Sequence, residues 1–316
     1  PPISTRAYRT MFFTAIATHQ HRLRNVSAAR SRHHLAVIDH RASRVAGILM
    51  LAFCSTIAQA APDRAETALF DGHIHYNDDV WDLLAPADAI KRLEAAGIAR
   101  AFVSSTPTEG TERLFAQDPA RIVPLLRPYR SFADRRTWFA DPELVARLRE
   151  RLDAFPYRGI GEFHVFGANA STPVMAAMID LAAEHGLFLH AHADEDAIVR
   201  ILERSMDLTL IWAHAGFDVP VTRLAELLAR YPRLLIELSF RDDIAPAGRL
   251  SDEWRRIFVA HPGRFLVGMD TYIASRWDTL GEMADGARGW LAQLPPDIAD
   301  RIAFENAAEL AVHAGQ

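Results

Sequence analysis

The residues with the most chemical potential in this 316-residue chain recur in short apolar runs. "LFDGHIH" places His73 and His75 one residue apart, "LHAH" repeats the spacing with His190 and His192, "GIGEFH" brings Glu162 and His164, "WAHAG" carries His214, and "VGMD" ends on Asp270. Side chains alternate across a strand, so each His-x-His pair faces one way. Two imidazoles on one face, joined by carboxylates from other segments, suit Zn or a related divalent ion. A lone histidine of this kind is more often an ordinary hydrogen-bonded residue. Six of the nine histidines downstream of residue 60 stand in such runs, which is hard to reconcile with isolated structural roles.

The elements that must position these residues follow from hydrophobic patterning. Eight strand-like runs appear in order: "ALFDGHIH", "RAFVSS", "RIVPLL", "RGIGEFHVF", "GLFLHAH", "LTLIWAHAG", "RLLIELSF" and "RFLVGMD". Between them lie amphipathic helical patterns. One carries Ile90 and Leu93. Another carries Val174, Met178 and Leu181, with Ser171-Thr172-Pro173 as its start and Gly186 as its stop. A third carries Leu224, Leu227, Leu228 and Tyr231. Eight strand–helix units in about 250 residues predict an α/β fold of the (β/α)8 TIM-barrel type in a single domain, with a doubly wound sheet as the alternative. In such a barrel the carboxyl ends of the strands form the active face, where the histidines, Glu162 and Asp270 would converge.

The first 44 residues hold eight Arg, five His and one Asp without a periodic apolar pattern, and are set aside as an upstream segment. Residues 45–60 read as an export signal. Arg41 and Arg44 precede the 13-residue run "VAGILMLAFCSTI", which is followed by the small-x-small site Ala58-Gln59-Ala60. A spanning helix needs about 20 apolar residues, so this run is short for one. The bulky Phe53 before Cys54 argues against a lipid anchor there. Translation is expected to start at Met11 or near Val45, and the mature product, residues 61–316, to be exported to the periplasm.

That product has 27 Arg and Lys against 39 Asp and Glu, a formal charge of −12, which excludes nucleic acid as the expected partner. The only cysteine, Cys54, lies in the signal, so no disulfide, thiolate nucleophile or cysteine metal ligand is expected in the mature chain. No membrane contact is expected after cleavage, and the oligomeric state is left open. Glycine-rich phosphate loops and the GxSxG elbow are absent from the sequence.

The motifs "DGHIH", "GIGEFH", "LHAH", "WAHAG" and "VGMD", with the terminal "IAFENAAEL", resemble the amidohydrolase superfamily, in particular its amidohydrolase-related branch of metal-dependent hydrolases. The resemblance spans residues 68–311. It implies metal ligands at His73, His75, His190, His214 and Asp270, with His192 as the alternative to His190. It also implies a general-base role for Asp270. For His214 it implies either polarisation of the electrophile or ligation of a second metal. Many binuclear relatives bridge their ions with a carboxylated lysine on the fourth strand. This chain has one lysine, Lys91, in the first helical pattern, so only Glu162 could bridge; the alternative for Glu162 is an ion pair with an active-face arginine.

One or two Zn or Mn ions with an open position would lower the pKa of bound water towards about 7 for attack on a small-molecule substrate. Hydrolysis of an amide, ester or lactone-type bond is the leading expectation. A non-oxidative decarboxylase or hydratase of a small carboxylic acid is the second, and a non-catalytic exported binding module the third. Arg127 and Arg130 in "LLRPYR", Arg241 in "LSFRDD" and Arg276 stand in loops expected at the mouth. Arg241 and Arg127 are the candidates for binding a substrate anion.

Overall fold

A computed structural model of the chain describes residues 67–313. The upstream segment, 1–44, and the export signal with its cleavage site, 45–60, lie outside the described residues. No helix among those described is long and apolar enough to cross a membrane.

Eight strands pair in sequence order, every pair parallel: Leu69–Ile74 (β1), Ile98–Val103 (β2), Ile122–Leu126 (β3), Gly159–Val165 (β4), Phe188–Ala193 (β5), Leu210–Trp212 (β6), Leu234–Glu237 (β7) and Phe265–Leu266 (β8). Between β8 and β1 the ring is drawn together by single bonds: Gly72 N–H to the Val267 carbonyl at 2.7 Å and Asp270 N–H to the His73 carbonyl at 2.7 Å. The result is a nearly closed (β/α)8 barrel.

Helices Pro86–Ala95 (α1), Glu109–Gln117 (α2), Leu144–Ala154 (α3), Pro173–Glu184 (α4), Glu195–Arg204 (α5), Val221–Arg230 (α6) and Asp252–Ala260 (α7) follow the first seven strands in turn. After β8 come Ala274–Asp278 (α8), Leu280–Leu291 (α9), Pro296–Asp300 (α10) and Asn306–His313 (α11). Their limits have local causes. The Thr172 side chain accepts from Met175 N–H at the start of α4, Pro173 fills the first turn where no N–H is needed, and Gly186 takes φ 63° just past its end. On α6 the buried stripe is Leu224, Leu227 and Leu228. Each contributes about 1.5–3 kcal/mol by leaving water.

The barrel interior is divided. At the amino-terminal end Phe70, Phe102, Val123, Phe188, Ile211 and Leu266, from six different strands, pack with Ala307 and Ala311 of α11. On β5 the alternation is direct: Phe188 belongs to this apolar layer, and His190 and His192 follow on the same side, further along the strand. On β1 it is interrupted. Phe70 is in the apolar layer, yet His73 and His75 reach the polar end, and the pairing register of β1 with β2 shifts between Asp71 and Ile74.

Candidate metal centre

His73 and His75 leave the end of β1, Glu162 lies in β4, His190 and His192 in β5, His214 just after β6 and Asp270 after β8; all are buried. The structure thus brings together every metal-site residue expected from the sequence. With Glu237 at the end of β7, which the sequence reading did not include, their ligand atoms form four groups of three, each within 4.8 Å: His73–His75–Glu162, His73–His214–Asp270, His73–His190–Glu237 and Glu162–His192–His214.

Hydrogen-bond accounting gives the chemistry of the two β1 histidines. His75 Nδ1 faces the Ser104 carbonyl, which can only accept, so that nitrogen carries the proton. His73 Nδ1 lies 2.9 Å from Glu237 Oε2, a carboxylate oxygen, and donates likewise. The two Nε2 atoms are left facing each other at 3.0 Å. In neutral rings both are lone pairs, and two acceptors at that distance are held together only by a cation between them.

The carboxylates supply the negative charge for it. Asp270 Oδ1 is 3.2 Å and Glu162 Oε2 3.3 Å from His75 Nε2. Burial alone would depress the His73 pKa, but Asp270, Glu162 and Glu237 around it raise it well above the ordinary value, so the surroundings favour positive charge at this point. Burial pushes the other way on Glu162, yet His164 and His73, with a hydrogen bond from His192, hold it well below the usual carboxylate range. Asp270 is held low in the same manner by His73 and His75 against burial.

Two further observations fit a divalent ion. Among the described residues neither ring nitrogen of His190 has a hydrogen-bond partner, nor has Asp270 Oδ1, although all three atoms are buried. Native proteins rarely leave such groups unsatisfied without a ligand. The backbone at the site is also strained: His214 has φ 60° and Asp270 φ 48°, a left-handed region that costs a non-glycine residue roughly 1–2 kcal/mol. Bonds from His214 N–H to Glu237 Oε2, 3.1 Å, and from Asp270 N–H to the His73 carbonyl hold them there.

Glu162 forms the arginine ion pair anticipated as one of its two roles. Arg127 Nη2 donates to its Oε2 at 2.7 Å. That oxygen faces His73 and His75, while Oε1 lies 3.0 Å from His192 Nδ1 and 3.6 Å from His214 Nε2. The carboxylate therefore spans two ligand groups. On β5 His190 lies deep beside His73 and His192 beside Glu162, so both stand at the cluster.

The arginines differ from the expectation of free guanidinium groups at the mouth. Arg127 turns inward, is 4% exposed, and donates to the Glu162 carboxylate, the Glu162 carbonyl and Thr106 Oγ1. Arg241 gives Nε and Nη2 to Asp243, both at 2.8 Å, and Nη1 to the Ala215 and Val219 carbonyls. A buried guanidinium needs these acceptors, and it ties loops together by taking them. Arg276 donates to the Asp270 and Met269 carbonyls, and Trp277 Nε1 to the His75 carbonyl, so both brace the site from outside.

Residues that sequence patterning passed over complete the arrangement. Glu237 and Ser239 stand two apart in "RLLIELSF", and an acid inside so apolar a strand was the available signal. His164 turns from the centre, accepting or donating at 2.9 Å to Tyr129 Oη and stacking on His192.

No family model and no curated protein matches the chain. Solved structures do resemble it. A candidate 2-pyrone-4,6-dicarboxylic acid hydrolase from Pseudomonas putida superposes with TM-score 0.55 and 14% identity, over 78% of this chain and 98% of its own. An amidohydrolase from Burkholderia multivorans gives 0.50 and 16%, over 78% and 99%. A candidate metal-dependent hydrolase from Lactobacillus casei gives 0.51 and 11%, over 79% and 96%. At these identities the likeness is one of fold.

Proposed function

We propose that the protein is a metal-dependent hydrolase that cleaves an amide, ester or lactone-type bond of a small molecule. The observation that carries this reading is the pair of Nε2 atoms of His73 and His75 facing each other at 3.0 Å among buried carboxylates, with His190 unpartnered beside them. His73, His75, His190 and Asp270 would hold one ion. Glu162, His192 and His214 would hold a second, with Glu162 shared. Zinc suits this nitrogen and carboxylate set best, and manganese second. Such an ion supplies acidified water and polarises the bond to be broken.

The protein's own groups do the rest. Asp270 Oδ1 is free to accept a proton from the attacking water and return it to the leaving group. The buried walls exclude bulk solvent, which strengthens each electrostatic contact inside. Decarboxylation of a small acid has less support, because Arg127 and Arg241, the groups best suited to a substrate carboxylate, already bind Glu162 and Asp243. Export to the periplasm is part of the proposal on the strength of residues 45–60 alone.

The test is metal analysis of residues 61–316 beside the Glu162→Ala variant, together with a panel of esters, lactones and amides assayed with and without chelator. Two equivalents falling to one in the variant, with chelator-sensitive hydrolysis, is the expected result. Carbon dioxide release without hydrolysis would move the reading to a decarboxylase, and absence of bound metal would end it.

A further inference from the structure

We infer that Glu237 is a positioning residue that fixes the tautomers of two histidines at once, His73 directly and His214 through Ser239, so that both present Nε2 lone pairs to the centre of the site. The consequence for metal affinity rests on the metal-dependent reading above; the tautomers themselves do not.

Glu237 is fully buried at the end of β7, and its two oxygens accept four hydrogen bonds. Oε1 accepts from Ser239 N–H at 2.5 Å. Oε2 accepts from His73 Nδ1 at 2.9 Å, His214 N–H at 3.1 Å and Ser239 Oγ at 3.0 Å. A carboxylate has only acceptors, so the single Ser239 hydroxyl proton points at Glu237. Ser239 Oγ is also 2.8 Å from His214 Nδ1, and with its proton spent it can only accept there. His214 therefore carries its proton on Nδ1. Its Nε2, 3.6 Å from Glu162 and 3.9 Å from Asp270, is a lone pair, which makes His214 a ligand rather than a donor to a substrate carbonyl.

The barrel makes room for this carboxylate. Gly268 stands beside Glu237, and a Cβ there would lie 2.0 Å from Glu237 Oε1 and 2.6 Å from its Cδ. Gly72 on the other side would place a Cβ 3.0 Å from the Val267 carbonyl and 3.6 Å from Glu237 Cγ. Neither glycine has a left-handed φ, so the need is for space. An amide could not substitute for the acid. With donors facing both oxygens, the NH2 of a glutamine must meet an N–H or O–H wherever it is turned.

Histidine ligands are oriented through their second nitrogen, and loss of that partner typically weakens metal binding 10–100-fold. Three variants that leave every proposed ligand in place test the inference by competition for Zn²⁺ with a chromophoric chelator: Glu237→Gln, Gly268→Ala and Ser239→Ala. The first two are expected to weaken Zn²⁺ binding about 10–100-fold with the far-ultraviolet circular dichroism of the parent. Ser239→Ala is expected to alter only the His214 signals in the ¹⁵N-histidine spectrum and to weaken the second equivalent alone.

Glu237→Gln and Gly268→Ala both binding Zn²⁺ within twofold of the parent would overturn the inference. Should these variants fail to fold, the ¹⁵N spectrum of the unaltered protein decides: rings carrying a proton on Nδ1 at His73 and His214 sustain it, and a ring protonated at Nε2 but not at Nδ1 at either overturns it. The same spectrum decides if the parent binds no Zn²⁺ at all, in which case the hydrolase reading fails separately.

Discussion

The two ends of the barrel interior are built from the same strands, a few residues apart, and obey opposite rules. At the amino-terminal end Phe70, Phe102 and Phe188 pack ring to ring, with centroids 4.8 and 5.0 Å apart, and Phe304 seals them at 5.7 Å from Phe70. At the carboxyl end buried imidazoles and carboxylates crowd together, with left-handed backbone and unpartnered nitrogens. One end lowers the free energy of the fold, and the other stores a cost that a cation would relieve. The contrast teaches where to look for chemistry in such a barrel: substitutions at one end should act on stability, and at the other on metal binding and turnover.

The largest expected separation comes from Asp270→Asn. An amide keeps the size of the side chain, removes the proton acceptor and weakens the charge that balances a metal. Turnover is expected to fall at least about 10³-fold, equivalent to about 4 kcal/mol of barrel-mouth chemistry, while the melting temperature stays within a few degrees of the parent. A catalytic rate unchanged by this substitution would sink the role given to Asp270.

Phe188→Ala probes the other end. The ring is 2% exposed, and a Cβ on Gly159 would lie 2.7 Å from it, so the neighbouring strand has been kept small to admit it. Removing it leaves a cavity and is expected to cost about 3–5 kcal/mol, or roughly 10 °C in melting temperature, with Zn²⁺ affinity per folded molecule little changed. Urea denaturation beside metal titration measures both quantities. A loss of metal affinity as large as the loss of stability would show that the two ends are coupled.

How much of this was legible beforehand depended on the range of the interactions. Strand order and the converging histidines could be read because alternation and turn residues are local signals, and because His73, His75, His190 and His192 repeat a two-residue spacing. The limits of β6 and β8 could not. "LTLIWAHAG" reads as one strand, but the chain turns at His214 into left-handed backbone whose N–H is held by Glu237. "RFLVGMD" pairs only over Phe265–Leu266, because Val267, Met269 and Asp270 bond instead to Gly72, the Asp71 side chain and His73. Glu237 escaped notice because its partner His73 is 164 positions away, and Arg127 looked available because its acceptors Glu162 and Thr106 are 35 and 21 positions away; Arg241 differs, since Asp243, which takes two of its nitrogens, is only two residues on.

A smaller effect sharpens the boundary between the two ends, where Asp71 lies. Its Oδ1 accepts from His73 N–H at 2.9 Å and Met269 N–H at 3.0 Å, stitching β1 to the segment after β8. Its Oδ2 is buried without a partner among the described residues. Burial pushes its pKa up to about 8, against those two hydrogen bonds, so the native protein holds it as the neutral acid near neutrality. The unfolded chain has released that proton by pH 6. Each further unit of pH therefore favours the unfolded state by up to about 1.4 kcal/mol until the native carboxyl ionises near 8. Asp71→Asn keeps the acceptor oxygen for both N–H groups and cannot ionise. Between pH 6 and 8, with chelator present, the parent is expected to lose about 2 kcal/mol relative to this variant, or roughly 4–8 °C in melting temperature. Parallel melting curves for the two proteins across that range would mean that Asp71 is ionised in the fold. The strand junction would then carry a second buried charge beside Glu237 and belong with the polar end of the barrel.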